Sequence, residues 1–232
     1  MRKSRSISNS LTGQETVAGA VYLALQLFVM PSLLQWFNRQ LANPLNEAEL
    51  NFLFYLVNFM AMLLIFHDFL GRNARQAVQH PADFCQAAVL GIVAYYACSY
   101  ATTWLIGLLV PEFANYNDEA IWAMRSSNSF LMFIGTVVLV PPFEECLYRG
   151  LVFRNLYGKN RAAAYIISIV LFAGIHILGY IGQYSPLELL MATLQYLPAG
   201  LCLAWSYAKG NSIFVPILIH AAVNYITIRG IL

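Results

Sequence analysis

The sequence predicts an all-α fold, a polytopic membrane bundle of about seven transmembrane helices. Hydrophobic residues make up 59% of the 232 residues, charged residues make up only 10%, and the mean hydropathy is +0.61. Such a composition is typical of an integral membrane protein. Because each span needs about 20 apolar residues, the chain has room for six to eight helices and for no large soluble domain.

The helices follow from the apolar runs in chain order. Residues 1–15 are basic and rich in hydroxyl groups, and we interpret them as a cytoplasmic tail. Residues 16–125 then hold the first three transmembrane helices, which carry no recognised motif, and residues 126–232 hold the other four. The runs lie at about 16–38, 50–67, 84–110, 127–157, 162–181, 187–208 and 213–232.

Prolines mark two of these helices. Pro141 and Pro142 interrupt the fourth, and they predict a helix that kinks or restarts just before Glu144 because proline lacks an N–H. Pro216 lies near the first turn of the last helix, where a missing N–H costs least.

The distribution of Lys and Arg predicts the orientation in the membrane, since cytoplasmic loops carry the excess of basic residues. With the N-terminus inside, nine basic side chains fall on the cytoplasmic side and three on the outer side, with Arg149 set aside. We therefore expect a bacterial plasma-membrane protein with its N-terminus inside and its C-terminus outside. The net charge of +2 is too small to indicate nucleic-acid binding.

Four polar residues from three predicted helices fall near one depth, given a rise of about 1.5 Å per residue. Glu144 lies roughly 20 Å and His176 about 21 Å from the inner ends of their helices. His220 and Asn224 lie about 12 and 18 Å from the inner end of theirs. Ionisable groups at membrane depth cost roughly 2.5 to 3.5 kcal/mol each and usually mark a functional site. We expect the four side chains to converge near the middle of the bilayer.

Helical spacing assigns roles to the two neighbouring glutamates. Glu145 and Arg149 are four residues apart and face each other, so they can neutralise one another. Glu144 is rotated by about 100° and is left without that partner. A carboxylate in an apolar site is suited to take a proton from water as a general base and to return it to a leaving amine.

The other polar residues complete a hydrolytic site. His220 and Asn224 are four residues apart and share a helix face, while His176 lies one turn beyond Phe172, whose ring would shield it. Glu144 would activate water, and polar donors would hold the developing oxyanion.

These residues form three motifs that resemble a known family. Glu144, Glu145 and Arg149 match EExxxR, Phe172 and His176 match FxxxH, and His220 and Asn224 match HxxxN. In this order and spacing, they resemble the CPBP family of intramembrane proteases, also called the CAAX protease and bacteriocin-processing or Abi family. The resemblance covers roughly residues 125–227.

The resemblance implies an endopeptidase that cleaves a membrane-associated or lipidated peptide. It implies that Glu144 activates water, that His176 assists it, and that His220 and Asn224 complete the site. It gives Glu145, Arg149 and Phe172 a supporting role. The implied partners are membrane lipid and a peptide or protein substrate, and whether that substrate is prenylated, a leader peptide or a bacteriocin stays open.

Two questions stay open at the level of sequence. The family is often labelled metalloprotease, so zinc or another divalent metal held by His176 and His220 stands beside a metal-free mechanism; no H-E-x-x-H helix is present. The same buried groups would also suit a bacteriocin-immunity protein that does not cut its target, or a small membrane transporter or binding protein.

Overall fold

The fold over residues 10–230, which the computed structural model describes, consists of helices, so the predicted all-α class is confirmed. The basic tail predicted at 1–15 falls mainly on residues 1–9, which lie outside the described residues. The helices are α1 Gly13–Phe28, α2 Met30–Gln40, α3 Glu47–Gln79, α4 Pro81–Leu109, α5 Tyr116–Ser127, α6 Ser129–Tyr157, α7 Arg161–Leu178, α8 Pro186–Gly210 and α9 Phe214–Arg229.

Within the described residues, five helices are long and apolar enough to cross a membrane, namely α3, α4, α6, α7 and α8. Helices α1 and α2 meet at 54° and would together make a sixth span. Helix α9 is apolar but has only 16 residues, a length of about 24 Å. The protein is therefore an integral membrane protein, while the predicted count of seven spans is not confirmed.

Helix α5 is an element that the apolar runs do not predict. It lies between the spans α4 and α6, and the Asn115 side chain caps it by accepting a hydrogen bond from the backbone N–H of Asn117 at 3.1 Å. Its first turn carries two acidic residues, Asp118 and Glu119. With only 12 residues, α5 is too short to cross a membrane. It lies at the end of the bundle where α4 ends and α6 begins.

Helix α6 continues through Pro141 and Pro142, so of the two predicted effects of these prolines the restart does not occur, and the kink stays a prediction. Its backbone instead widens into π-helical turns on both sides of the glutamates, at Ile134–Leu139 and Cys146–Phe153. Such turns often occur at functional sites.

The first π-helical turn explains how α6 accommodates a proline. The backbone N–H of Val140 donates to the carbonyl of Gly135, five residues earlier. In the same pattern, residue 141 would donate a hydrogen bond to the carbonyl of Thr136, but proline has no N–H to donate. The Nδ2 of Asn224 on α9 donates to that carbonyl instead, at 2.8 Å. A side chain from another helix thus satisfies a backbone group that proline leaves open.

Asn73, near the end of α3, joins the N-terminal helices to the segment between α8 and α9. Its Oδ1 accepts a hydrogen bond from the backbone N–H of Ile213 at 3.0 Å, and its carbonyl accepts one from the Ser212 hydroxyl at 3.1 Å. All three residues are fully buried. The segment that leads into α9 is therefore positioned by a residue of α3.

Candidate active site

Glu144, His176, His220 and Asn224 line one cavity of about 380 Å³. Helices α6, α7 and α9 supply them, and the cavity extends from the level of Glu144 to the end of the bundle that α5 covers. The structure thus brings together the four side chains that were expected to converge, and their catalytic roles remain predictions.

A buried ion pair lies directly behind this cavity. The Nη1 of Arg149 donates to the Oε1 of Glu145 at 3.0 Å, and both side chains are fully buried. The Nη2 of Arg149 donates to the carbonyl of Gly200 at 3.3 Å. The guanidinium carbon lies 4.2 Å from the centre of the Phe172 ring, an arrangement that favours a cation. The expected pairing of Glu145 with Arg149 is therefore present, and Phe172 supports it.

Glu145 also contacts the cavity through His220, which helical spacing could not reveal. The Nδ1–H of His220 donates to the same Oε1 of Glu145, at 2.9 Å. With Nδ1 occupied, the Nε2 of His220 lies 4.0 Å from the Oε2 of Glu144. Neutralising Arg149, the role that helical spacing predicts, is thus only one of the roles of Glu145, because Glu145 also orients an imidazole of the site.

The charges of this cluster balance when one proton is added. Arg149 carries a positive charge, and Glu144 and Glu145 each carry a negative charge when ionised. One further proton, placed on His220 or on Glu144, makes the cluster neutral. Because uncompensated charge is costly in an apolar interior, the pair formed by His220 and Glu144 is the place where a mobile proton can reside.

His176 is held by a backbone carbonyl one turn earlier in α7 and by two aromatic rings. Its Nδ1–H donates to the carbonyl of Phe172 at 2.7 Å, so the neutral imidazole keeps the lone pair of Nε2 available. The Phe172 ring lies 4.8 Å away between ring centres, as the predicted shielding requires. On another side, His176 stacks on Tyr196 of α8 at 4.2 Å and 25°. Nothing in the sequence around Tyr196 indicates this contact.

A polar network connects Tyr196 to the start of α5. Its hydroxyl accepts a hydrogen bond from the Nδ2 of Asn117 at 3.1 Å. The single hydroxyl proton is shared between two acceptors, the Oδ1 of Asn115 at 3.3 Å and the Oδ1 of Asp118 at 3.5 Å. Asn115 donates to the Oε1 of Gln195 at 2.7 Å. Burial raises the pKa of Asp118 above its ordinary value. All five residues line the cavity, although from the sequence they look like ordinary loop and helix polar groups.

The side chains do not fit the donor set of a catalytic metal. Catalytic zinc takes three protein ligands and leaves one position open, but no three His, Cys, Asp or Glu side chains between residues 10 and 230 come together as such a site requires. The assignment of His176 and His220 as metal ligands stays a prediction.

The match to known proteins covers the part of the chain that holds this site. Residues 126–226 match the family model described as type II CAAX prenyl endopeptidase Rce1-like. No curated protein and no solved structure matches the chain. The matching segment runs from the last two residues of α5 into α9 and contains Glu144, His176, His220 and Asn224. The chain therefore carries an Rce1-like type II CAAX prenyl endopeptidase domain at residues 126–226 and is an intramembrane protease.

Proposed function

We propose that the protein hydrolyses a peptide bond of a membrane-associated or lipidated substrate with a water molecule activated by Glu144. One observation carries this proposal. Glu144 lines the cavity, and its Oε2 is buried and has no hydrogen-bond partner among the described residues. A carboxylate oxygen in that position is free to accept a proton from water.

The reaction then proceeds in two proton transfers. Glu144 takes a proton from water while the water oxygen forms a bond to the carbonyl carbon of the substrate. Glu144 next returns this proton to the amide nitrogen as the C–N bond breaks, which releases an amine and a carboxylic acid. His176, with the lone pair of its Nε2, assists by accepting a hydrogen bond from the same water.

His220 and Asn224 are placed to stabilise the negative charge that develops on the carbonyl oxygen. Since the Nδ1–H of His220 is given to Glu145, its Nε2 donates only when the ring is protonated, and Glu145 is then the counter-ion. The Asn224 amide gives one N–H to the Thr136 carbonyl and keeps its second N–H for the oxyanion.

We place the protein in a bacterial plasma membrane with the N-terminus inside, as the basic residues indicate. In this orientation the end of the cavity that α5 lines faces the outer side. A peptide that reaches the membrane from that side, or a lipidated peptide held in it, would meet the site without crossing the bilayer.

Glu144→Gln tests the mechanism, because glutamine keeps the shape of glutamate and cannot take the proton. We expect this variant to lose peptide cleavage by about 10²-fold or more in lipid nanodiscs, measured with a membrane-tethered fluorogenic peptide. Glu112→Gln, in an exposed turn, is the matched control and should cleave like the native protein. Both variants should elute from a size-exclusion column at the native volume and unfold at the native melting temperature. Equal cleavage by Glu144→Gln and the native protein would refute the proposal.

A further inference from the structure

Asp118 is the one charged side chain in the cavity wall, as far as residues 10–230 are concerned, that the proposed reaction does not use. Apart from it, the ionisable acid and histidine groups of the wall are Glu144, His176 and His220, and no Lys or Arg lines it. Arg149 lies behind the wall and is fully buried against Glu145. The cavity therefore presents negative charge without a fixed cation.

The carboxylate of Asp118 is only partly satisfied within the protein. Its Oδ1 lies 3.5 Å from the Tyr196 hydroxyl and competes for that single proton with the Oδ1 of Asn115, which lies closer, at 3.3 Å. No Lys, Arg or His forms an ion pair with it in the described part of the chain. A half-buried carboxylate in such a setting gains strongly from a cation that brings N–H donors.

The neighbours of Asp118 are neutral and supply acceptors beside it. Asn117 gives one of its two Nδ2 hydrogens to Tyr196, and Asn115 gives one of its two to Gln195, so each amide keeps a single free N–H. Asn117 lies in the same wall, where its amide oxygen is an acceptor. Lysine and arginine side chains offer donors only, and they complement a surface of this kind.

Tyr196 places this surface close to the reacting bond. Its hydroxyl contacts Asp118, and its ring stacks on His176 at 4.2 Å. One tyrosine side chain thus separates the carboxylate from a residue of the catalytic layer. Since an extended peptide advances about 3.3 Å per residue, a substrate side chain at Asp118 belongs to a residue within a few positions of the scissile bond.

We infer that Asp118, with Asn117 and Tyr196, forms a specificity subsite for a lysine or arginine side chain of the substrate close to the cleaved bond. This inference deepens the proposed function and rests on it for the identity of the ligand as a peptide. It also means that the cavity wall has no lysine or arginine to bind a free C-terminal carboxylate, so a basic internal segment is bound better than an acidic peptide end.

Peptide binding to the Glu144→Gln variant tests the subsite without requiring cleavage. The probes are fluorescein-labelled apolar octapeptide amides with Lys, Gln or Glu at one position, moved along the peptide, and anisotropy is measured in nanodiscs. We expect the best lysine peptide to bind about tenfold or more tightly than its glutamate counterpart. A free carboxylate in place of the terminal amide should weaken binding.

Two further variants in the same background identify the residue responsible. Adding Asp118→Asn keeps the side-chain shape and should remove most of the difference between lysine and glutamate peptides. Adding Glu119→Gln, which removes an equal charge from the exposed neighbouring position, should leave the difference intact. Equal affinity for the three peptides, or a lysine preference that survives Asp118→Asn in a protein that melts normally, would overturn the inference.

Cleavage of the same peptides by the native protein is measured separately. If the native protein cleaves none of them while the charge preference in binding depends on Asp118, the proposed mechanism fails and the subsite stands. If cleavage depends on Glu144 and binding ignores the charge of the peptide, the subsite fails and the mechanism stands.

Discussion

Glu145 accepts hydrogen bonds from Arg149 and His220 through a single oxygen, Oε1. One carboxylate therefore neutralises a buried guanidinium and fixes the tautomer of an imidazole in the site. Removing it affects two different properties, the stability of the bundle and the orientation of His220.

We expect Glu145→Gln to lower both the stability of the protein and its rate of peptide cleavage. Arg149 would remain fully buried without its counter-ion, which typically costs about 3–5 kcal/mol, and the melting temperature in detergent should fall accordingly. The cleavage rate per folded molecule should fall as well, because His220 loses the carboxylate that compensates its charge. Glu112→Gln again serves as control. A destabilised variant with native activity per folded molecule would show that Glu145 only stabilises Arg149 and does not act through His220.

The hydrogen bond from Asn224 to Thr136 leads to a second prediction at this scale. Asn224→Ala should cost about 1–3 kcal/mol by leaving a carbonyl without a donor. In a Pro141→Ala background the new N–H can serve that carbonyl, so the cost of Asn224→Ala should shrink, as a double-mutant cycle of unfolding energies would record. Pro142→Ala restores an N–H one residue further on, where it would serve Val137, and its effect should simply add. Full additivity in both cycles would contradict the substitution of Asn224 for the proline N–H.

Residue-level features were predictable from sequence wherever they depend on helical spacing. Four-residue separation predicted the pairing of Glu145 with Arg149, and estimated depth predicted that Glu144, His176 and His220 share a cavity. No spacing rule relates residue 145 to residue 220 or residue 176 to residue 196. Those contacts depend on how α6 packs against α9 and how α7 packs against α8, which a single sequence does not encode locally.

At the scale of elements, close approach of α7 and α8 depends on Gly200. A Cβ placed there would lie 3.2 Å from the backbone Cα of Ile169 and 3.1 Å from its Cγ2. Small residues of this kind let membrane helices approach each other. The same glycine offers its carbonyl to Arg149, so the spacing of two helices and the position of the buried guanidinium are linked.

Gly200→Ala should therefore destabilise the protein by about 1–3 kcal/mol, the usual cost of overpacking. It should also reduce cleavage, because α8 cannot move away without shifting the acceptor of Arg149. Gly174→Ala on α7 is the matched control, since nothing lies within 4 Å of the added Cβ; it should be neutral or stabilise by roughly 0.5–1 kcal/mol. Thermal unfolding of both variants in detergent makes the comparison, and equal melting temperatures would refute the packing argument.

Element positions were predicted well where the apolar run was long and poorly where polar residues dominate. The runs at 127–157 and 187–208 correspond closely to α6 and α8. Helix α5 was missed because its polar first turn and short length resemble a loop. The wider turns around Pro141 and Pro142 could not be predicted from the apolar run, since the carbonyl that Pro141 leaves open is satisfied by Asn224, 88 residues beyond Thr136.

For the whole molecule, orientation in the bilayer is the property most open to test. We expect a single cysteine at Glu112, in a variant without the four native cysteines, to react with a membrane-impermeant maleimide in intact cells. A single cysteine at Lys159, at the other end of α6, should react only after permeabilisation. Both positions are exposed. The reverse pattern would invert the proposed topology and place the cavity mouth on the cytoplasmic side.

Asn73 has a consequence for where the folded unit begins and ends. The segment that matches the protease family starts at residue 126, yet the backbone N–H of Ile213 that opens α9 is satisfied by Asn73, far upstream. Cut at residue 126, the chain would leave that N–H, and the helix carrying His220, without their anchor. The residue at which the family match begins therefore does not separate two independent parts, because a buried hydrogen bond joins α3, which precedes it, to the helix that carries His220.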